Sequence, residues 1–279
     1  MIVARKKSFV YRIILYILII VGAVVSIFPI VWMVMSSVKP DPLIVNPEPI
    51  WFFKPTMEHY QMLFTKAQDF TFVKYFINSL IISGVSTLIA IATGYFCAYS
   101  ISRFSTGGTN YSYWILSIRM LPPAVFITPV VILFGFYKLM DTRIAIIMMY
   151  LIFNVPFAVW IFLSFIDDIP IDLEDAALLD GYSRLAVLRR IIFPLTAPSI
   201  VAVGLICFIF SWNEYVFALV LSFQKASTIT IGTARFVGGY GIWWGRISAA
   251  LTVAAVIPIA LGLFGQRYLV RGLTMGAVK

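Results

Sequence analysis

The sequence is poor in charge, in histidine and in cysteine. Charged residues make up 12% of the chain and hydrophobic residues 61%, whereas a soluble domain is about one quarter charged. This composition excludes an ordinary soluble fold and predicts a protein that lies in a lipid bilayer. The single histidine, His59, is expected in a loop, and Cys97 and Cys207 lie far apart inside apolar runs. Because none of them has a ligand spacing, we expect no metal site.

Sequence motifs of common enzyme classes and of nucleotide-binding loops are also missing. The chain contains no H-E-x-x-H, no G-x-S-x-G and no G-x-x-x-x-G-K-[ST] pattern. We therefore expect no enzyme activity and no cofactor of its own. The net charge of +9 comes from basic residues at the ends of apolar runs. Membrane topology explains such residues better than nucleic-acid binding does.

Six apolar runs are long enough to cross a bilayer core about 30 Å thick, which takes about 20 residues of helix. They cover about residues 13–36, 75–101, 111–137, 144–166, 195–221 and 247–263. We predict an all-α membrane protein with six transmembrane helices. Its membrane domain would span residues 13–268, between a cytosolic segment 1–12 and a cytosolic tail 269–279.

The flanks of the first run predict its orientation. Arg5, Lys6, Lys7 and Arg12 precede the run, and only Lys39 directly follows it, which favours a cytosolic N-terminus. The run is too long for the apolar part of a signal peptide, so we expect an uncleaved anchor. With six spans, both termini lie in the cytosol.

This topology places the aromatic stretch "GGYGIWWG", Gly238 to Gly245, on the outer side. A sugar ring could stack on its tryptophans. Tryptophan and tyrosine also gather at membrane interfaces because their rings are amphipathic, and we favour that interpretation.

A polar stretch, "EDAALLDGYSRLAVLRRIIFPLTAP", lies between the fourth and fifth runs and is cytosolic in this topology. It holds three acidic residues and three arginines. We predict a first short helix with Asp172 as N-cap and with Glu174 and Asp175 in its first turn, where acids suit the positive helix end. Gly181, after Asp180, would end this helix in a left-handed conformation.

Two further features of the stretch suggest contact with another molecule. Ala176 and Ala177 offer a small-residue surface, and a second helix over about residues 183–193 is amphipathic, before Pro194 restarts the chain into the fifth run. Its apolar side would hold Leu185, Leu188 and Ile192, with Arg189 and Arg190 opposite and Arg184 turned into the apolar arc. The residues alone leave two alternatives, an amphipathic loop on the lipid headgroups or a rigid knob in a groove of a partner protein.

Several polar residues fall inside the apolar runs. Asn213 and Glu214 would face a permeation pathway or a companion subunit, or Glu214 would lock helices together. Arg119 would line the path or pair with an acid. Pro122 and Pro123 follow it and would interrupt the helix. For Asn78 and Ser79 we expect hydrogen bonds between helices.

The polar stretch resembles the EAA motif of permeases of ATP-binding-cassette (ABC) importers. The residues at motif positions are Glu174, Ala176, Ala177, Asp180, Gly181 and Pro194, and the departures are Asp175, where the family usually has alanine, and Phe193, where it has leucine. Further stretches, "NSLIIS", "AYSISRF", "SWNEYVFAL" and "GLTMGAVK", extend the resemblance to sugar importers of the maltose-permease-like branch.

The resemblance implies the type I ABC importer permease fold and an inner-membrane location. It implies a translocation pathway shared with a second permease, two cytosolic ATPases that bind ATP and Mg²⁺, and an extracytoplasmic solute-binding protein that delivers a sugar, oligosaccharide, polyol or sugar-phosphate. It also implies that residues 167–194, here called the coupling loop, dock in the ATPase groove through Glu174, Asp175, Ala176, Ala177, Asp180, Gly181 and Pro194, and that the C-terminal tail contacts the ATPase side. Arg119, Asn213 and Glu214 remain candidates for the pathway. An ion-coupled secondary carrier is the alternative, although the chain shows no clear internal repeat.

Overall fold

The computed structural model describes residues 9–65, 72–108, 110–238 and 241–275, and these are mostly helical. The helices are α1 (Phe9–Ser37), α2 (Asp41–Ile44), α3 (Glu58–Phe64), α4 (Phe72–Phe104), α5 (Tyr111–Met120), α6 (Ala124–Phe136), α7 (Arg143–Asp167), α8 (Asp172–Leu179), α9 (Arg184–Val187), α10 (Phe193–Asn213), α11 (Val216–Leu221), α12 (Ile229–Ala234) and α13 (Trp244–Met275). A π-helical segment, Leu188–Ile192, joins α9 to α10. Two short strands, β1 (Val237–Gly238) and β2 (Gly241–Ile242), pair antiparallel. Arg5, Lys6, Lys7 and residues 276–279 of the tail lie outside the described residues.

Five helical stretches are long and apolar enough to cross a membrane. They are Val10–Ser37, Phe72–Phe104, Arg143–Asp167, Arg184–Asn213 and Trp244–Gln266. The pair α5 and α6 makes a sixth candidate, although the two helices meet at an angle of 90°. This agrees with the six predicted runs and corrects the third, which is not one straight helix. Pro122 and Pro123 lie at the break, as expected of residues that cannot continue a helix.

The fifth run is also divided, which corrects the prediction of one helix over residues 195–221. Helix α10 ends at Asn213, Glu214 has an extended backbone, and α11 begins at Val216. The Glu214 carboxylate accepts hydrogen bonds from the amides of Phe217 at 3.0 Å and Ala218 at 3.3 Å. Glu214 therefore satisfies the free amides at the start of α11, which makes a new helix start favourable here.

The chain divides into two compact units. The first consists of the chain up to Thr71 together with Arg235–Val253, and the second of Phe72–Ala234 and the chain from Ala254. The expected single membrane domain over residues 13–268 stays a prediction.

In the first unit, Lys39, which follows α1, packs against two aromatic rings. Lys39 is buried, and its ammonium group lies 5.4 Å from the ring centre of Trp32 and 5.2 Å from that of Phe53. Its carbonyl oxygen lies 2.9 Å from Nε2 of His59. The prediction of a loop at His59 was wrong, because this residue is buried on α3. A cation over aromatic faces keeps a favourable electrostatic environment when it leaves water.

The second unit has α4 and α7 at its centre, packed closely through small residues. A Cβ atom added at Gly94 of α4 would lie 2.6 Å from the Cβ atom of Ala158 on α7. Small residues let helix backbones approach in this way in membranes. The core around this contact includes Tyr95, Ala98, Tyr99, Val159, Phe162, Ile166, Val187 and Ile192. This core continues from α4 and α7 into the coupling loop.

Candidate functional site

Helix α8, in the coupling loop, begins with backbone hydrogen bonds rather than with a side-chain cap. The residue before the helix is Ile171, and Asp172 is the first helical residue, so the prediction of Asp172 as N-cap was wrong. The carbonyls of Pro170 and Ile171 accept bonds from the amides of Leu173 and Glu174 at 3.3 and 2.9 Å. These bonds already satisfy amides that a capping side chain would otherwise bind.

Gly181 ends α8 in the predicted left-handed conformation, with φ of +86°. The amide of Tyr182 donates to the carbonyl of Ala177 at 3.1 Å, and the amide of Gly181 donates to that of Leu178 at 3.0 Å. This pair of bonds is the Schellman motif, which satisfies the last carbonyls of a helix and turns the chain sharply.

The exposed surface of α8 is not the alanine surface that the sequence predicted. Ala177 is buried with 6% of its surface exposed, and Glu174 is buried with 1% exposed. The exposed face instead consists of Asp172, Leu173, Asp175, Ala176 and Leu179, followed by Asp180 just after the helix. Leu179 is 90% exposed. Of the two predicted alanines, only Ala176 is available to another molecule.

Glu174 lies in a buried cluster of side chains. Its carboxylate accepts a hydrogen bond from the hydroxyl of Tyr99 at 2.8 Å and one from Nε of Arg103 at 2.5 Å. We call Tyr99, Arg103 and Glu174 the Glu174 cluster. Sequence reasoning singled out Glu174 for its place in the first turn of a helix, but it missed both partners on α4. The signal was present in "AYSISRF", which contains Tyr99 and Arg103 one helical turn apart.

After the Gly181 turn, the chain enters a second helix that does not stop at Pro194. Ser183 caps α9 by accepting a hydrogen bond from the amide of Ala186 at 3.3 Å. The helix then continues through the π-helical segment into α10, with Pro194 in the first turn of α10. A proline lacks the N–H group of a regular helix and clashes with the preceding turn. The wider π turn just before it lets the helix continue, which corrects the expected restart.

The amphipathic pattern of this second helix is largely as predicted. Leu188 and Ile192 are buried and Arg189 and Arg190 are exposed, but Leu185 is 69% exposed and lies outside the core. Arg184 lies over the ring of Phe104, 5.4 Å from its centre.

Of the three predicted pathway residues, Glu214 lines a cleft and Arg119 contacts the lining of that cleft, whereas Asn213 is not among the lining residues. Glu214 lines an open cleft of about 100 Å³. The other lining residues are Pro123, Tyr150, Phe153, Asn154, Phe210, Ser211 and Phe217. Arg119 donates to the carbonyl of Phe153 at 3.1 Å, and its guanidinium lies 4.6 Å from the ring centre of Phe210. Two residues of the cleft, Phe153 and Phe210, thus contact Arg119. Asn213 is exposed and bonds within its own helix, to the carbonyl of Ile209.

Arg119 binds a carbonyl and two rings. Its guanidinium is 4.5 Å from the ring centre of Phe157 as well as close to Phe210. Among the described residues it has no carboxylate within ion-pair distance. Sequence reasoning missed Asn154, a buried amide that lies in the same cleft and donates to Ser211 Oγ at 2.8 Å. An asparagine inside the apolar run "LIFNVPF" was the available signal.

Asn78 and Ser79, near the start of α4, make the expected hydrogen bonds to other helices, at the first residues of α7 and α12, and also bind the loop before α12. The amide of Asn78 donates to the carbonyls of Lys225 and Ser227, both at 2.9 Å, and Ser79 Oγ accepts from the amide of Ile229 at 2.8 Å. Asn78 Oδ1 also accepts a bond from Nε of Arg143 at 2.8 Å. These residues therefore hold the segment before α12 against α4.

Comparison with known proteins gives a consistent result. The model of one protein family, described as the inner membrane component of binding-protein-dependent transport systems, matches residues 90–275. The trehalose/maltose transport system permease protein MalG of Thermococcus litoralis is 33% identical over 98% of this chain and 99% of its own length. The trehalose transport system permease protein SugB of Mycobacterium tuberculosis is 32% identical over 91% of this chain and 93% of its own length.

A solved structure shows the same fold. One chain of a bacterial ABC transporter for import of the acidic polysaccharide alginate superposes with a TM-score of 0.73 and 18% identity. The match covers 96% of this chain and 99% of that one.

Proposed function

The chain belongs to the family of inner membrane components of binding-protein-dependent transport systems, and we propose that it forms, with a second permease, the pathway for a sugar-like substrate. It is a permease subunit of an ABC importer and has that importer fold. The proposal adds two ATPase subunits, which bind ATP and Mg²⁺, and an extracytoplasmic solute-binding protein. It also adds a cytosolic location for both termini, which the basic residues before α1 support.

The substrate class is a sugar, oligosaccharide, polyol or sugar-phosphate. Two relatives that align over almost the whole chain carry trehalose or maltose in their names. Half-exposed Trp243 and Trp244 line an open cleft of about 280 Å³ in the first unit, next to Asp41. Such rings suit both stacking on a sugar and the membrane interface.

The exposed face of α8 is the surface that docks on the ATPase. It combines the apolar side chain of Leu179, which is 90% exposed, with the acids Asp175 and Asp180. An ATPase groove complementary to this face has an apolar pocket for Leu179 and basic residues at its rim. This arrangement is the observation that carries the coupling role, because a face on which exposed acids flank Leu173 and the protruding Leu179 fits a protein groove better than a lipid surface.

Arg119, Glu214 and, beside them, Asn213 belong to the membrane part of the pathway. Polar and charged side chains are costly within the bilayer and are found mainly along such pathways. The open cleft with aromatic walls next to Glu214 supports this role.

Site-directed crosslinking tests the docking surface. In a background with Cys97→Ser and Cys207→Ser, Leu179→Cys should crosslink to the ATPase subunit in membranes. Ala177→Cys is the matched control, because this position is buried and only two residues away. Crosslinks of Leu179→Cys to lipid probes alone would contradict docking on the ATPase.

Uptake by the purified importer in vesicles tests the function. We expect uptake of radiolabelled trehalose or maltose that needs ATP and the binding protein. Uptake that continues without ATP and stops when an uncoupler is added would instead indicate an ion-coupled carrier.

A further inference from the structure

The Glu174 cluster joins the coupling loop to the membrane helices through one arginine. We infer that Arg103 is a positioning residue for energy coupling, which makes α8 move together with the ends of α4 and α7. In this arrangement Glu174 serves as an internal anchor and Asp175 is the acid offered to the ATPase. The inference rests on the proposed function of the coupling loop.

The contacts of Arg103 connect three segments of the chain. Its Nε donates to Glu174 Oε1 on α8 at 2.5 Å. Its Nη2 donates to the carbonyls of Ile166, in the last turn of α7, at 2.9 Å and of Ile169, just after α7, at 3.0 Å. The remaining nitrogen, Nη1, donates to Ser102 Oγ on α4 at 2.9 Å. The planar guanidinium group can bind several acceptors in fixed directions, which the flexible ammonium of lysine does not do.

Two hydroxyl groups of α4 add further hydrogen bonds next to Arg103. Tyr99 donates to the second carboxylate oxygen, Oε2 of Glu174, at 2.8 Å. The hydroxyl of Ser102 donates to Oδ1 of Asp167, the last residue of α7. Each oxygen of the Glu174 carboxylate therefore has its own donor, and both donors lie on α4.

Burial makes these contacts difficult to exchange during transport. The side chains of Arg103 and Glu174 are 6% and 1% exposed. Separation of the two would leave a charged group without a partner in the protein interior, which is strongly unfavourable. Release of Glu174 toward an ATPase would require that separation. Asp175, the next residue, is exposed and needs no such step.

The consequence is mechanical. A force applied to the exposed face of α8 reaches the ion pair, and from there it reaches α4 and the end of α7. Buried Ala177, one turn after Glu174, packs on the same core and restricts rotation of α8. A loop without this ion pair would dock equally well on the ATPase, but its movement would be lost before it reached the spans.

The central experiment compares Arg103→Gln with Arg189→Gln in the complete importer. Arg189 is exposed, lies in the same loop, and its side chain has no hydrogen-bond partner among the described residues. For Arg103→Gln we expect co-purification of the ATPase and basal hydrolysis to persist. The number of substrate molecules imported per ATP hydrolysed should fall about tenfold or more. Arg189→Gln should keep the wild-type ratio, and an equal ratio for the two variants would overturn the inference.

Three further variants keep the inference testable if Arg103→Gln fails to assemble. Tyr99→Phe removes one bond and leaves the ion pair, so the ratio should fall only about two- to threefold. Arg103→Lys keeps the positive charge but not the planar guanidinium group, and the number of molecules imported per ATP should be intermediate. The double variant Arg103→Gln/Glu174→Gln should be no worse than either single one, because all three break the same contact. Additive losses in the double variant would contradict a shared role.

Failure of this inference is distinguishable from failure of the proposed function. Wild-type importer without ATP-driven uptake contradicts the proposed function itself. Wild-type importer with ATP-driven uptake, together with an unchanged ratio in Arg103→Gln, contradicts only the positioning role.

Discussion

Helix α4 holds a loop at each of its ends, and it does so by two different means. Near its start, Asn78 and Ser79 bind backbone groups of residues 225–229. At its other end, Tyr99 and Arg103 bind the side chain of Glu174. The first contact depends on the path of the loop backbone, whereas the second depends on one charged residue of the bound element.

The difference explains what each end can do. Neutral hydrogen bonds to a backbone fix a loop in place and contribute roughly 1 kcal/mol each. A buried ion pair adds little net stability, yet removal of one partner is expensive because the other charge stays behind. The ion-paired end therefore suits the transmission of movement, and the neutral end suits the fixing of a loop.

The largest expected effect comes from the loss of Glu174. Glu174→Ala leaves the Arg103 charge buried without its carboxylate, and we expect a loss of about 3–5 kcal/mol in the free energy of unfolding. Thermal unfolding in detergent measures this as a lower melting temperature. Asp175→Ala, at the exposed neighbouring residue, is the control and should unfold near the wild-type temperature. Equal destabilisation by both would remove the distinction between the two ends of α4.

A smaller effect is expected at the other end of the helix. Asn78→Ala removes two bonds to the loop and one to Arg143, at a cost of about 1–3 kcal/mol. Hydrogen exchange should become faster in residues 222–229 and remain unchanged in α8. Faster exchange in α8 would show that the two ends are not independent. Asn213→Ala serves as the control, because Asn213 bonds only within α10.

Substitution of Gly181 should change coupling with only a moderate loss of stability. Gly181→Ala forces a residue with a Cβ atom to adopt φ of +86°, which costs about 1–2 kcal/mol. The space around the glycine is open, so the cost comes from the backbone alone. We expect fewer molecules imported per ATP because the turn after α8 loosens. Gly84→Ala, in open space within α4, is the control and should leave transport unchanged.

The smallest effect concerns Asp141, whose carboxylate accepts hydrogen bonds from the backbone amides of residues 223–226. Partial burial alone would raise the pKa of Asp141, but backbone amides of Phe223, Gln224, Lys225 and Ala226 bind the carboxylate and lower its pKa below the ordinary value. Its stabilising contribution is therefore complete above the ordinary carboxyl pKa of about 4. The contribution is lost as the pH falls below that value and through the lowered pKa.

Hydrogen exchange protection of residues 223–226, measured between pH 7 and pH 3, tests this effect. Protection should decline at the acidic end in the wild type. In Asp141→Asn, protection should be lower at every pH and should not change with acidity. A decline that persists in this variant would assign the effect to another group.

The fold was predictable from the sequence to a large extent, because bilayer thickness fixes the length of an apolar run. The turn at Gly181 was predictable because a glycine after a short helix has few alternatives. The burial of Glu174 was not, because an acid in the first turn of a helix is favourable whether it faces water or an arginine. Its partner Arg103 is 71 residues away, and a basic residue at the end of a span is normally explained by topology alone.

The division of the fifth run shows the same limit. Both Asn213 and Glu214 fit a continuous apolar helix, since a single acid does not end a helix by itself. The helix end follows from contacts distant in sequence: Tyr150 and Thr230 donate to the Glu214 carbonyl, at 3.5 and 3.0 Å. Composition and periodicity contain no information on such partners.

The π-helical segment Leu188–Ile192 has a consequence for insertions and deletions. An α-helix turns by about 100° per residue, and a π turn accommodates an additional residue within the helix. Loss of one residue from this segment would convert it to regular α-helix and leave the flanking turns in nearly the same rotation, whereas loss of one residue from the regular α-helix of α9 would rotate everything before it by about 100° relative to α10. A single-codon deletion in α9 would therefore turn α8 in a new direction without changing any residue of its docking face, and the same deletion in the π-helical segment would not.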